Sequence, residues 1–224
     1  AFAHKAGLHA SAIRVNADLY QHTDPDLVGN GMRMLISDMA GRANIQIKAE
    51  QLGHDLTDRT LAARVTDRIK AREAEGYSYE AADASFDLLL REELGIRREF
   101  FHVPAWRVIT DQTEFVEAVV RVAVGDEPSR PFVGEGNGPV NALDAALRVA
   151  VAAHYPVVAG FELSDYRVRL LASSHGTDAI TRVLIDTQYQ GDTWTTVGVG
   201  GNIIEASWEA LVDSITYGLE LYNR

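Results

Sequence analysis

VGEGNGPVNALDAAL, residues 133–147, is written a second time as VGVGGNIIEASWEAL at residues 197–211. Gly134 matches Gly198, Gly136 matches Gly200, Ala142 matches Ala206, and Ala146 and Leu147 match Ala210 and Leu211, all at one offset of 64 (198 − 134). Each copy reads as a strand, a glycine loop and a helix. Glycine permits backbone conformations closed to other residues, Asn137 or Asn202 suits a helix cap, Pro139 suits a first helical turn, and an apolar stripe then recurs at helical spacing. The free N–H groups at such helix starts attract an anion, so the paired copies are a candidate carboxylate site. The alternative is that the glycines only make two tight turns. Duplication argues for a pseudo-symmetric domain and not, by itself, for a ligand.

Working outward from the repeat, residues 100–110 and 115–124 are strand-like, and a Gly125-Asp126-Glu127-Pro128 turn returns the chain to Phe132 and Val133. The second copy repeats the order with strands at 166–171, 180–188 and 193–199, then a last helix with Ile203, Ala206, Ala210, Leu211, Ser214, Tyr217 and Leu221 inward. His175, Gly176 and Asp178 fall in a linker between its strands. Two βββα units predict an α+β domain with an antiparallel sheet and helices on one face. Upstream, Thr57 or Asp58 caps a helix with Leu61, Val65 and Ile69 on one face, and Gly76 ends it. Ser78 is the expected cap of the next helix, with Ala82, Phe86, Leu89 and Leu90 inward and Gly95 as its stop. Residues 33–49 read as an extended segment entering a helix near Gly41 and Arg42. The expected division is 1–50 as a first linker subdomain, 51–97 as a helical second one, and 98–224 as the βββα domain.

A length of 224 residues with 46% hydrophobic content supports more than one core. The net charge of −11 argues against nucleic acid and anionic membrane surfaces, leaving small molecules and copies of the chain as partners. Cysteine is absent, which excludes disulfides and thiolate metal sites and suits a reducing, cytoplasmic setting. No stretch reads as a signal or transmembrane segment. His4 and His9 lie five apart, which does not stack them on one helical face, so a zinc helix is a poor fit. A catalytic histidine is the sharper alternative to an exposed or structural one. The chain opens at Ala1 inside a glycine- and histidine-bearing motif, which suggests the C-terminal piece of a longer polypeptide.

AFAHKAGLHASAI, the Tyr20 segment with DPDLVGN, SDMAGRANI, EGYSYEAADASFDLLL, GNGPVNALDAAL and TWTTVGVGGNIIEASWEALVDSITYGLELY together resemble the C-terminal part of the 2-isopropylmalate synthase and citramalate synthase family. The GTDAITRVLID segment and the VGVGGNIIEASWEALVDSI ending look closer to the citramalate type. The resemblance implies an acyltransferase that joins acetyl-CoA to a 2-keto acid, with a divalent metal held by an N-terminal barrel outside this sequence and no cofactor or metal ligand here. It implies a homodimer whose regulatory domain binds leucine or isoleucine. The family's catalytic histidine falls on His9 and its linker tyrosine on Tyr20. The effector would sit between the glycine loops, against Gly134, Gly136, Asn137, Val140, Tyr166, Gly198, Gly200 and Asn202, with Asp165 or Asp178 holding its ammonium. The rival expectation is an amino-acid-sensing dimerisation module without chemistry. An ACT-type unit of that kind would run βαββαβ, not βββα twice.

Overall fold

A computed structural model describes residues 3–4, 33–34, 42–111, 115–171 and 179–223. They fall into two units, Ala1–Ile96 and Arg97–Arg224.

In the first unit, β1 (Ala3–His4) pairs in parallel with β2 (Arg33–Met34), and three helices follow: α1 (Arg42–Gln51), α2 (Arg59–Ala74) and α3 (Asp83–Leu94). Asp58 starts α2 as the sequence predicts, accepting the N–H groups of Thr60 at 2.7 Å and Leu61 at 3.3 Å. Gly95 stops α3 in the left-handed conformation, φ +70°, where glycine carries no Cβ penalty. Ser78 does not cap α3; the helix begins five residues later, behind Ala82. The intervening chain buries Tyr77 and Tyr79, stacked at 6.4 Å, with Tyr79 edge-on to Phe86. Burial of two aromatic rings outweighs the roughly 1 kcal/mol that a serine cap supplies.

The second unit contains the two predicted βββα repeats. The first is β3 (Phe101–Ile109), β4 (Val116–Val124), β5 (Arg130–Gly136) and α4 (Pro139–Ala152). The second is β6 (Glu162–Leu170), β7 (Thr181–Tyr189), β8 (Asp192–Gly200) and α5 (Ile203–Tyr222), joined to the first through a 3-10 turn at Pro156–Gly160. Each trio is an antiparallel sheet in sequence order. Registers match across the repeat: Ala118 lies opposite Gly134 as Val183 lies opposite Gly198, and Trp106 lies opposite Val120 as Tyr166 lies opposite Ile185. α4 packs on β4 and β5, and α5 on β7 and β8. Val120, Leu143 and Leu147 fill the first core and Ile185, Leu211 and Ile215 the second, each buried. Such a side chain contributes about 1.5–3 kcal/mol when fully buried.

The repeated glycines serve a purpose other than the expected loop. Gly134 and Gly136 lie within β5, Gly198 and Gly200 lie within β8, and none has a positive φ. A Cβ on Gly134 would stand 2.6 Å from the Ala142 oxygen and 2.9 Å from the Ala146 Cα. One on Gly198 would collide with the Ala206 oxygen and stand 2.8 Å from the Ala210 nitrogen. Glycine is needed because strand and helix backbones touch, and the alanines at 142, 146, 206 and 210 are the other half of that contact.

Two devices tie down the C-terminal end of α5. Gly218 leaves room for the Phe161 and Trp194 rings, which meet edge-to-face at 5.3 Å beside Tyr189 and Tyr222. Arg98, at the start of the unit, donates from Nε to the buried Glu220 carboxylate at 3.1 Å and from its terminal nitrogens to the Leu219 and Asn223 oxygens. The Glu220 carboxylate also accepts the Arg98 backbone N–H at 3.0 Å. A guanidinium at a helix C-terminus is where the helix dipole favours a cation.

Candidate functional site

The starts of α4 and α5 converge on one cavity of about 490 Å³, within the size range of small-molecule sites. Asn137, Gly138, Pro139, Val140 and Asn141 line it from the first repeat, Ile203 and Ile204 from the second, and Leu163, Tyr166 and Asp144 form its side. Most of that surface is apolar, which explains why Ile203, placed inward by its helical spacing, is 44% exposed.

The two helix starts differ electrostatically. Asn202 caps α5 with its own side chain, accepting from the Ile204 and Glu205 N–H groups at 3.0 Å each. α4 begins at Gly138 and Pro139 with no side-chain cap, so its first-turn amides are the ones open to an external acceptor. Tyr166 reaches across from β6. Its hydroxyl bonds Ser207 Oγ at 2.6 Å, and because Ser207 donates to the Ile203 oxygen, Tyr166 is the donor in that pair. Asp144 points one carboxylate oxygen at Arg148 Nε, 2.7 Å away, while its other oxygen, Oδ1, is buried without a hydrogen-bond partner. A buried carboxylate oxygen without a donor is costly. That oxygen is closed off from solvent, while the Asp144 side chain as a whole lines the cavity.

Of the sequence-predicted effector residues, Asn137, Val140 and Tyr166 line this cavity. Gly134, Gly136, Gly198 and Gly200 are placed under the helices and do not line it. Asn202 stands at the neighbouring helix start with its side-chain oxygen already engaged. Asp165 is exposed, ion-paired to Arg167 at 3.1 Å, and does not line the cavity. His9, Tyr20 and Asp178 lie outside the described residues. Asp144 was missed because an aspartate four residues before an arginine on a helix reads as an i,i+4 surface pair. The signal available was its position on the cavity side of α4, two residues after Ala142.

A second polar cluster occupies the first unit. Asp87, 2% exposed, accepts Arg91 Nε at 2.9 Å on one oxygen and meets His54 Nε2 with the other. The arrangement anchors the turn after α1 to α3, beside a cavity of about 360 Å³ lined by Gln46, Glu50, His54, Asp55 and Leu56. Two hydrogen bonds from Thr57 hold the Asp55 carboxyl below its usual range. Among the described residues no group of three or more His, Asp or Glu side chains could hold a metal ion. Nor is any described helix long and apolar enough to cross a membrane.

The model of the LeuA allosteric (dimerisation) domain matches residues 80–219, and that of the homocitrate synthase post-HMGL domain matches residues 1–76. A protein named (R)-citramalate synthase in Streptomyces coelicolor is 56% identical over 98% of this chain and 42% of its own length. Its namesake in Synechocystis is 45% identical over 99% of this chain and 42% of its own length. A 2-isopropylmalate synthase of an Enterobacter species is 27% identical over 95% of this chain and 39% of that protein. The chain thus spans about two fifths of the length of these relatives.

Proposed function

Because the chain belongs to the family of the LeuA allosteric (dimerisation) domain, we propose that its cavity is a feedback site for a branched-chain amino acid, isoleucine or leucine, in a homodimeric acyltransferase that condenses acetyl-CoA with a 2-keto acid. The observation that carries this reading is the cavity between α4 and α5, where an uncapped helix start, an apolar wall and the Asp144 side chain lie together. Those three features match the three parts of a branched-chain amino acid. The α4 amides take the carboxylate, Ile203, Ile204, Val140 and Leu163 enclose the side chain, and Asp144 takes the ammonium.

Within the family we assign the citramalate type. Relatives of that name match at 38–56% identity and those named 2-isopropylmalate synthase at 26–27%, so the keto acid is pyruvate in preference to 2-ketoisovalerate. The divalent metal that polarises the keto acid would be held by the barrel that the family resemblance implies. His9 serves proton transfer and Tyr20 orients it, both reaching the active site of the neighbouring subunit. A stand-alone sensing module is the alternative, and full-length sequence or activity separates the two.

Calorimetric titration of this chain with isoleucine and leucine tests the site. Binding should weaken tenfold or more in Asp144→Asn, since a hydrogen bond to a charged group contributes about 1.5–3 kcal/mol. Unchanged affinity in that variant would remove Asp144 from the site. No binding of either amino acid would remove the effector reading.

A further inference from the structure

The two ends of α5 hold different things. At its start, Ile203 and Ile204 line the cavity. Its 20 residues make it about 30 Å long, and with no proline inside it to bend it, a displacement at one end is carried to the other. At the far end the helix grips main chain as well as side chain. One oxygen of Glu220 accepts the Arg98 backbone N–H at 3.0 Å and the other accepts Arg98 Nε at 3.1 Å. Further Arg98 donors reach the Asn223 oxygen at 3.0 Å and the Leu219 and Glu220 oxygens at 3.4 Å each. The guanidinium also lies 4.7 Å from the centre of the Phe100 ring. The Glu220 side chain is 2% exposed, and bonds between ionised partners are the strong ones. Capping the helix would need only a cation near its last carbonyls. The bond from the Arg98 main chain goes further, because it fixes where the backbone passes. Upstream, the Ile96 N–H closes the end of α3 on the Arg91 oxygen at 2.9 Å, just after Gly95. The backbone N–H groups on either side of Arg97 are thus both held, one by α3 and one by α5.

We propose that Arg98 and Glu220 form a coupling joint, which ties the segment leaving α3 to the C-terminal end of α5 and so lets the rest of the chain respond to occupation of the cavity at the other end of that helix. This rests on the effector reading above. Arg98 is a positioning residue and touches no ligand. A ligand seated against Ile203 and Ile204 favours one position of α5 over others. The helix carries that bias along its length, and the paired bonds to Glu220 hand it to the main chain at residue 98. Glutamine at 220 has one acceptor oxygen where two are used, so at least one of the two bonds is lost. Lysine at 98 keeps the charge and the main-chain bond but lacks the fork that reaches carboxylate and carbonyls together.

Calorimetry on this chain and inhibition of the full-length enzyme by the same amino acid test the joint together. Cooperative melts establish that Glu220→Gln and Arg98→Lys are folded. Their affinity for isoleucine or leucine, and the uninhibited turnover of the full-length variants, should stay within about threefold of the parent, because the joint lies far from the cavity. Inhibition at saturating amino acid should fall by about half or more in Glu220→Gln, and by less in Arg98→Lys. Ligand binding should slow hydrogen exchange at residues 96–100 by about threefold or more in the parent chain and leave it unchanged in Glu220→Gln. Parental inhibition in both folded variants, or binding weakened about tenfold in them, overturns the joint and leaves the effector site in place. Binding by the parent chain without inhibition of the full-length enzyme also overturns the joint. Failure of the parent chain to bind either amino acid overturns the effector reading itself.

Discussion

Replacing Gly198 by alanine tests what the repeated glycines are for. The added Cβ would overlap the Ala206 carbonyl oxygen and lie 2.8 Å from the Ala210 nitrogen, both backbone atoms of α5 that cannot rotate away. Restoring ordinary contact distances of about 3.5–4.0 Å moves the helix outward by roughly 1 Å, which loosens the packing of Leu211 and Ile215 on β7. Overpacking of this kind costs about 1–3 kcal/mol and sometimes more, and here backbone meets backbone, so the expected loss is about 2–4 kcal/mol. Gly134→Ala should behave alike, because its Cβ meets Ala142 and Ala146 in the equivalent way. The control is Gly138→Ala. Its φ of −171° is open to any residue, and nothing lies within 4 Å of the added carbon, so its stability should stay within about 0.5 kcal/mol of the parent. Urea unfolding followed by tryptophan fluorescence reads this unit directly, since Trp106, Trp194 and Trp208 all belong to it. Near-parental stability for Gly134→Ala and Gly198→Ala, with a loss of more than about 1 kcal/mol for Gly138→Ala, would return the glycines to the role of turn residues.

Glu220→Gln should destabilise the second unit by about 2 kcal/mol, because the buried carboxylate receives two Arg98 donors and the partly exposed arginine keeps the loss below that of a fully buried pair; the same fluorescence melt checks it. The bond to Asp192 and burial push the Tyr222 hydroxyl up to about 12. A folded value above the unfolded one of 10.0 means that the neutral phenol's stabilisation is complete below pH 10 and is lost as pH rises toward 12. Asp192→Asn should therefore let one tyrosine titrate earlier in an ultraviolet titration. In the full-length enzyme, His9→Ala and Tyr20→Phe should lower turnover far more than the melting temperature, and equal losses in both would assign these residues a structural role.

The fold was largely legible because packing leaves a period in the sequence. The 64-residue offset and the turn at Gly125-Asp126 specify two βββα units, and the strands and helices follow in that order, with β6 starting at Glu162, four residues ahead of the expected strand. Helix starts were read less well. Of the two expected caps, Thr57 and Asp58, the structure uses Asp58, whereas Ser78 lost to the burial of Tyr77 and Tyr79, a tertiary effect that local capping preference does not contain. The glycines were located correctly and explained wrongly, since a close backbone approach and a positive φ ask for the same residue. The site was legible only in part for a related reason. Asn137 and Val140 stand at the helix start that the repeat marks, and Tyr166 lines the same cavity from β6, while Asp144 declares itself only through its place on the cavity wall.

That division between legible and hidden residues follows from what duplication constrains. Gly134, Ala142 and Ala146 and their counterparts Gly198, Ala206 and Ala210 are bound to one another by contact, so a change in either copy carries the cost worked out above. The same offset sets Asp144 against Trp208, and strand register sets Tyr166 against Trp106, so the repeat fails in kind at these two positions. A domain built from two equal halves can therefore keep both for its core, and the place to look for specificity in such a domain is where the repeat fails at a position that the strand–helix seam does not hold.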